Sequence, residues 1–219
     1  MENQSKQQCN FKSFFLTVIT VDTLFVTTYS PTVEAASKGD WFMRFGVAQV
    51  SPNDSSGTLS GAPTVGVAVD SNTQLFANIS YMYDHNIAFE LLAATPFEHK
   101  LFGTGAVTTQ IATVKQLPPT FSVQYHFSPK ESINPYLGVG INYTIFFDEK
   151  VVGTITSISL DDSLGYAAQA WVDFKFNEGW FANIDMRYIN IETTATTNLG
   201  TVDVKINPWV LSAGVGFSF

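Results

Sequence analysis

The stretch from Trp209 to Phe219 constrains the fold more than any other part of the chain. Every odd position in it is apolar (Trp209, Leu211, Ala213, Val215, Phe217, Phe219), while Val210, Ser212, Gly214, Gly216 and Ser218 are nearly all small or weakly polar. Side chains alternate faces along a strand, so this stretch predicts a strand with one wholly apolar face and one small, wettable face. A soluble sandwich strand can show the same alternation. An apolar strand that ends on an aromatic carboxyl terminus fits better a membrane barrel closing on itself, with lipid on the apolar side and a lumen on the other. The same terminal strand, ending in Phe219, is the expected point of contact with the barrel-assembly machinery.

Composition points the same way. In 219 residues, aromatic and charged residues each make up 14%, with 19 Phe, whereas charge is usually about 25% of a globular chain. The net charge of −8 and the lack of a basic cluster exclude nucleic acid as a partner. The length suits one domain of the sandwich or barrel kind.

Residues 1–35 read as a secretory signal that is removed, leaving 36–219 as the barrel. Lys6 and Lys12 precede the apolar run from Phe14 to Ile19, and Val33-Glu34-Ala35 supplies small residues for cleavage. Asp22 interrupts the apolar region, and an uncleaved amino-terminal anchor is the other reading. Cys9 falls in this segment, so the mature chain would have no disulfide. Beyond residue 36 no run approaches the roughly 18–20 apolar residues of a spanning helix. A chain like this crosses a membrane with strands.

Alternation recurs along the rest of the chain. Strands are predicted over 41–49, 73–83, 87–94, 120–127, 134–147, 160–176 and 180–192, before the closing strand. Short turns fall at 84–86, 128–133 and 177–179. Longer connections fall at 50–72, 95–119, 148–159 and 193–201, and that at 95–119 is expected to hold a short irregular or helical piece. Long and short connections alternate, which is the rhythm of an all-β, eight-stranded antiparallel up-and-down transmembrane barrel in a Gram-negative outer membrane.

The inward face can then be assigned from the alternation. Its charged members are Arg44, Glu90, Asp173, Lys175, Asp185 and Arg187, all near the short-turn end. In a narrow barrel with little room beyond side chains, these charges are expected to pair as a polar plug; a proton or ion path is the other reading. Toward the long-connection end the inward positions turn apolar or small: Phe76, Leu92, Ala94 and Ile189, with Arg187 beneath. Such a lumen suits a small hydrophobic molecule entering from outside and leaving sideways. Pro118 and Pro119 lack N–H donors and Pro96 faces them, so strands three and four could part there, unless these prolines simply end strands at loops.

These residues resemble a known family. Glu90 to Lys100 (ELLAATPFEHK), Leu117-Pro118-Pro119-Thr120, Pro135 to Tyr143 (PYLGVGINY), Phe146-Phe147-Asp148, Asp161-Asp162-Ser163, Asn207-Pro208-Trp209 and the aromatic end are similar to the OmpW family of outer-membrane proteins. The resemblance implies an eight-stranded barrel with a hydrophobic channel that passes small apolar molecules and releases them laterally into lipid. It places Leu92 at a channel constriction and Pro118 and Pro119 beside the lateral opening. Asn207 departs mildly from the acidic residue usual there. Arg187 stands where well-known members carry Trp, which puts the apolar constriction in doubt.

Passive uptake of small hydrophobic solutes is therefore the leading functional expectation. A structural or binding barrel whose external loops act as a receptor or adhesion surface is the alternative. An enzyme is not expected: His99 lies apart in sequence from Asp161, Asp162 and Ser163, while His85 and His126 belong to the short-turn end, and nucleophilic catalysis needs a base within reach of the nucleophile. No metal cluster or phosphate-cradling loop is visible, so no cofactor is expected. Gly138 and Gly140 fall inside a strand, where small residues ease packing.

Overall fold

The structure, a computed structural model, describes residues 37–219 apart from 54, 107 and 154. The leader expected over 1–35, with Cys9, lies outside the described residues. Eight long strands make the wall: β1 Trp41–Ser51, β2 Asn72–Met82, β3 Ile87–Ala94, β4 Thr120–His126, β5 Ile133–Val151, β6 Ser163–Asn177, β7 Trp180–Ile189 and β8 Trp209–Ser218. Each pairs antiparallel with its neighbours in chain order. β8 returns to β1 in an unbroken register from Ser51↔Trp209 to Phe42↔Ser218, which closes the barrel. Closure leaves no unpaired edge, the condition for strands to stand in lipid.

Burial alternates as the pleat requires. On β1 the inward Phe42, Arg44, Ala48 and Val50 are buried, while Met43, Phe45 and Val47 are exposed. The outward face carries aromatics at two levels. Trp41 packs on Tyr81, Trp180 on Phe217 and Phe217 on Phe219 near the short turns; Tyr166 and Trp209 flank Tyr188 at the other level. On β8 the two levels lie at Trp209 and Phe217. That spacing corresponds to about 26 Å of strand, or about 20 Å across a bilayer after a tilt of about 40°, close to the apolar band of such barrels.

The long connections are strand for much of their length, with 152–157 remaining irregular where described. Ala62–Val69 is a strand, and the expected irregular or helical piece in 95–119 is a hairpin of Phe97–Gly105 and Gln110–Leu117. β5 runs on to Val151 and pairs with that hairpin through a register shift between Phe147 and Lys150. Glu192–Thr197 and Gly200–Lys205 form a further hairpin, flanked by Ile158–Leu160 and Ser55–Ser56. The barrel sheet thus continues well past the upper aromatic level. Ser, Gly, Asn and Pro conceal these strands in the composition of 50–72, but the alternating Val65, Val67 and Val69 are buried and carry the pairing. Thr-rich 193–201 suits strand because its β-branched side chains pack on a pleated surface.

The interior is layered. Phe42, Met82, Ala88 and Phe181 close the short-turn end. A buried polar layer follows. Above it one apolar core runs from Phe76, Ile189 and Val210 up among the extension strands to Leu101, Val114 and Val202.

Candidate functional site

The polar layer is built from inward side chains on almost every wall strand. Arg44 Nη2 on β1 donates to Asp173 Oδ2 on β6 at 2.8 Å, and its Nη1 donates to Ser80 Oγ at 3.0 Å. Asn183 Nδ2 donates to Asp173 Oδ1 at 2.8 Å. Four rings surround the Arg44 guanidinium: Phe42, Tyr136, Trp171 and Phe181, with its central carbon 5.2–5.7 Å from their centroids. Such stacking stabilises a buried cation. One level higher, Arg187 Nη2 on β7 donates to Glu90 Oε1 on β3 at 2.8 Å. Gln124 Nε2 donates to Glu90 Oε2 at 2.8 Å, and Arg187 lies over Trp171. Asp185 Oδ2 accepts from Ser212 Oγ at 2.9 Å. Five of the six expected lumen charges are buried here. Lys175 stands apart at the turn end, half-buried, with its ammonium donating to the Pro129 carbonyl at 2.7 Å.

The layer fits a narrow barrel because glycines make room for it. A Cβ on Gly138 would stand 2.8 Å from Gln169 Nε2, and one on Gly216 would meet the Phe181 ring. Both positions face inward. Small residues on one strand therefore leave room for the large side chains of their register partners on the neighbouring strand.

Above the polar layer lies a partly open chamber; counted together with the open space at its mouth, the room between its atoms is about 490 Å³. Phe76, Leu92, Ala94, Arg187 and Ile189, expected from the alternation, all line it. Phe97, Gln116 and Trp171 line it too and were not picked out in the sequence. Gln116 and Phe97 belong to the hairpin hidden in a presumed loop; Trp171 was visible as an inward residue, but nothing in its neighbours set it apart.

The chamber wall is interrupted between β3 and β4. Their last ladder pair is Leu92↔Thr120, and the hairpin above begins at Phe97↔Gln116. Residues 93–96 thus face 117–119, one residue out of step, so no regular ladder can bridge them. Each side is tied to its other neighbour instead. Thr95 N donates to Leu75 O on β2 at 3.0 Å. Across the interruption, Tyr143 N of β5 donates to Pro119 O at 3.1 Å, and Asn142 Nδ2 donates to Pro118 O at 3.1 Å. Pro118 is buried and lines the chamber, Pro119 is half-buried and Pro96 is exposed. Asn142 was missed in the sequence, where an inward Asn between Ile141 and Tyr143 carries no signal of this role.

The groups weighed for catalysis are engaged separately. His99 Nδ1 donates to the Asp70 carbonyl at 2.7 Å and its Nε2 accepts from Gln116 Nε2 at 3.1 Å. Asp162 accepts from Tyr143 OH and Phe146 N, and Ser163 Oγ accepts from Glu192 N. His126 stacks on Tyr136 in the lower lumen, and His85 bonds Asp84 in the first short turn.

Comparison with known proteins gives a consistent result. The model of the OmpW family matches residues 37–219. Outer membrane protein W of Vibrio cholerae serotype O1 is 44% identical over 203 residues, covering 87% of this chain and 93% of that protein. The crystal structure of the outer membrane protein OprG from Pseudomonas aeruginosa superposes with a TM-score of 0.81 at 36% identity, covering 85% of this chain and 99% of that one. A more distant relative, the dibenzothiophene metabolism operon protein PahQ of Pseudomonas aeruginosa, is 26% identical over 192 residues, covering 84% of this chain and 90% of that protein.

Proposed function

The chain belongs to the OmpW family of outer-membrane β-barrel proteins, and we propose that it lets small hydrophobic molecules cross the outer membrane by passive uptake, releasing them sideways into lipid. One observation carries this reading: the wall of the apolar chamber includes Ala94 and Phe97 on one side of the ladder interruption and Pro118 on the other. A solute in the chamber therefore lies against the one stretch where β3 and β4 share no ladder. The way down is closed to it. The chamber floor is the double ion-paired layer, and an apolar body pushed through would strip buried charges of their partners at several kcal/mol each. Entry is then from the extension end, where the side chains above the chamber are apolar, and the short-turn end is accordingly periplasmic. The name of the relative PahQ associates that protein with dibenzothiophene metabolism, and dibenzothiophene is itself a small apolar molecule.

Within this proposal Leu92 narrows the chamber, Pro96, Pro118 and Pro119 keep the side opening free of ladder bonds, and Arg44, Glu90, Asp173, Asp185 and Arg187 form the plug. The closing strand to Phe219 is the segment offered to the barrel-assembly machinery.

The test is uptake of a small apolar compound by vesicles with and without the purified barrel. Leu92→Asp should slow it, and an Ala94→Cys/Pro118→Cys disulfide across the interruption should stop it until reduced. Barrel-dependent uptake that ignores the disulfide would overturn lateral release. No difference from empty vesicles would remove the uptake role and leave a barrel whose external strands bind partners.

A further inference from the structure

The chamber is apolar on its walls but not on its floor. Arg187, Asp185 and Trp171 all line it and are all buried. Each has buried polar atoms with no partner among the described residues. Arg187 uses Nη2 on Glu90, while its Nε and Nη1 have none; Trp171 Nε1 has none; Asp185 gives Oδ2 to Ser212, while its Oδ1 has none. The three residues are neighbours. Asp185 and Arg187 are successive inward positions on β7, and Trp171 is the register partner of Asp185 on β6. The Arg187 guanidinium carbon stands 5.2 Å from the Trp171 ring.

Two kinds of donor and one carboxylate oxygen are thus left buried and unanswered at the chamber floor. A plain hydrocarbon answers none of them. Water can answer all of them, and a ligand that displaces ordered water without reproducing its bonds loses affinity. A carboxylate would satisfy Arg187 but meet Asp185 beside it, and an ammonium would satisfy Asp185 but meet Arg187. A hydroxyl suits both, because its oxygen accepts from Arg187 or Trp171 while its hydrogen goes to Asp185 Oδ1.

We infer that the chamber is a binding site for a small apolar molecule carrying one hydroxyl, an aliphatic alcohol or a phenol, with its body against Phe76, Leu92 and Ile189 and its hydroxyl on the Arg187–Asp185 floor. The inference rests on the uptake reading above and names the solute class. Discrimination follows from the same geometry. The apolar walls favour alcohol and hydrocarbon alike, so preference between them comes from the floor alone.

The experiment uses the full barrel in phosphatidylcholine vesicles with Trp41, Trp180 and Trp209, all on the lipid face, replaced by Phe. Trp171 fluorescence then reports the chamber. The probes are 1-octanol, octane and octanoate, each corrected for its partition into protein-free vesicles. Octanol should saturate the signal and bind about tenfold tighter than octane, the size of a hydrogen bond to a charged group. In the paired change Glu90→Gln/Arg187→Leu, which removes the charged donor but leaves Trp171 Nε1 and Asp185, that preference should fall to about threefold. Equal binding of octane and octanol overturns the inference and leaves hydrophobic uptake standing. Tighter binding of octanoate overturns it in favour of an anion site. Saturation by none of the three overturns both readings. If the paired change does not fold, the probe series on the unchanged floor still decides.

Discussion

Arg44 and Asp173 face each other across the lumen, joined by a 2.8 Å contact from Nη2 to Oδ2 and a 3.4 Å contact from Nε to Oδ1. Their strands are separated by β7 and β8 in the wall. The second pair, Arg187 with Glu90, joins β7 to β3, strands on opposite sides of the barrel. Two struts therefore brace the ring in different directions at neighbouring levels.

Breaking the first strut from one end leaves a buried charge without its partner. Arg44→Met is expected to destabilise the folded barrel by about 3–5 kcal/mol, and Arg44→Met/Asp173→Leu to recover most of that. Urea unfolding of the reconstituted barrel, followed by its gel-mobility shift, supplies both numbers. If the double change is as damaging as the single one, the pair is not acting as a unit.

The glycine positions give a second, independent handle on the same layer. Gly138→Val would push on Gln169, which donates to Glu90. An overpacked site of this kind costs about 1–3 kcal/mol. Shortening the opposing residue should relieve it, so Gly138→Val/Gln169→Ala is expected to unfold at higher urea than Gly138→Val alone. Equal midpoints would mean that the two side chains do not compete for space.

The wall of the barrel was readable in the sequence because lipid and lumen impose opposite chemistry on alternate residues. Leu75, Ile79, Phe76 and Asn78 were assigned to the correct faces by period alone. The extension strands were not readable, because outside the bilayer both faces tolerate polar residues and the alternation fades. Ser55 to Leu59 looks like loop on any compositional rule, yet it pairs. The position of Phe97 and Gln116 on the chamber wall was hidden with them. The one-residue slip between 93–96 and 117–119 was hidden for another reason: register belongs to two strands at once, and the prolines marked the place without giving the offset.

At the outer end Asp148 receives Lys115 Nζ at 2.7 Å and Lys150 Nζ at 3.2 Å. The bond from Lys115, then that from Lys150, holds the Asp148 carboxyl below its usual value, and the same contact raises Lys115. A lowered carboxylate contributes stability above its unfolded value and loses it as pH falls through the folded one. A raised lysine contributes below its unfolded value and loses it as pH rises through the folded one. Amide-exchange protection over 110–117 and 145–151, corrected for intrinsic rates, should therefore be flat near neutrality and fall in strong acid and strong alkali. Asp148 has a positive φ of 54°, so Asp148→Gly keeps the backbone while removing the acid limb. An acid limb that survives this change would assign it to other carboxylates.

The depth of the lipid belt can be tested on β5 alone. Val139 is 68% exposed and lies between the Tyr143 and Tyr125 levels, opposite Val123 and Ala168 on its two neighbours. Val152 is 44% exposed just past the end of the same strand, beyond the upper aromatics. Both are exposed valines, so a soluble β-domain would accept arginine at either one with similar indifference. In a bilayer the two sites differ in solvent. Val139→Arg is expected to cost about 2–4 kcal/mol and Val152→Arg about 0–1 kcal/mol, since the penalty for a cation falls from the midplane to the interface. Unfolding of both variants from phosphatidylcholine vesicles measures the difference directly. Equal costs would place Val139 outside the hydrocarbon and move the spanning band away from the level set by Trp209 and Phe217.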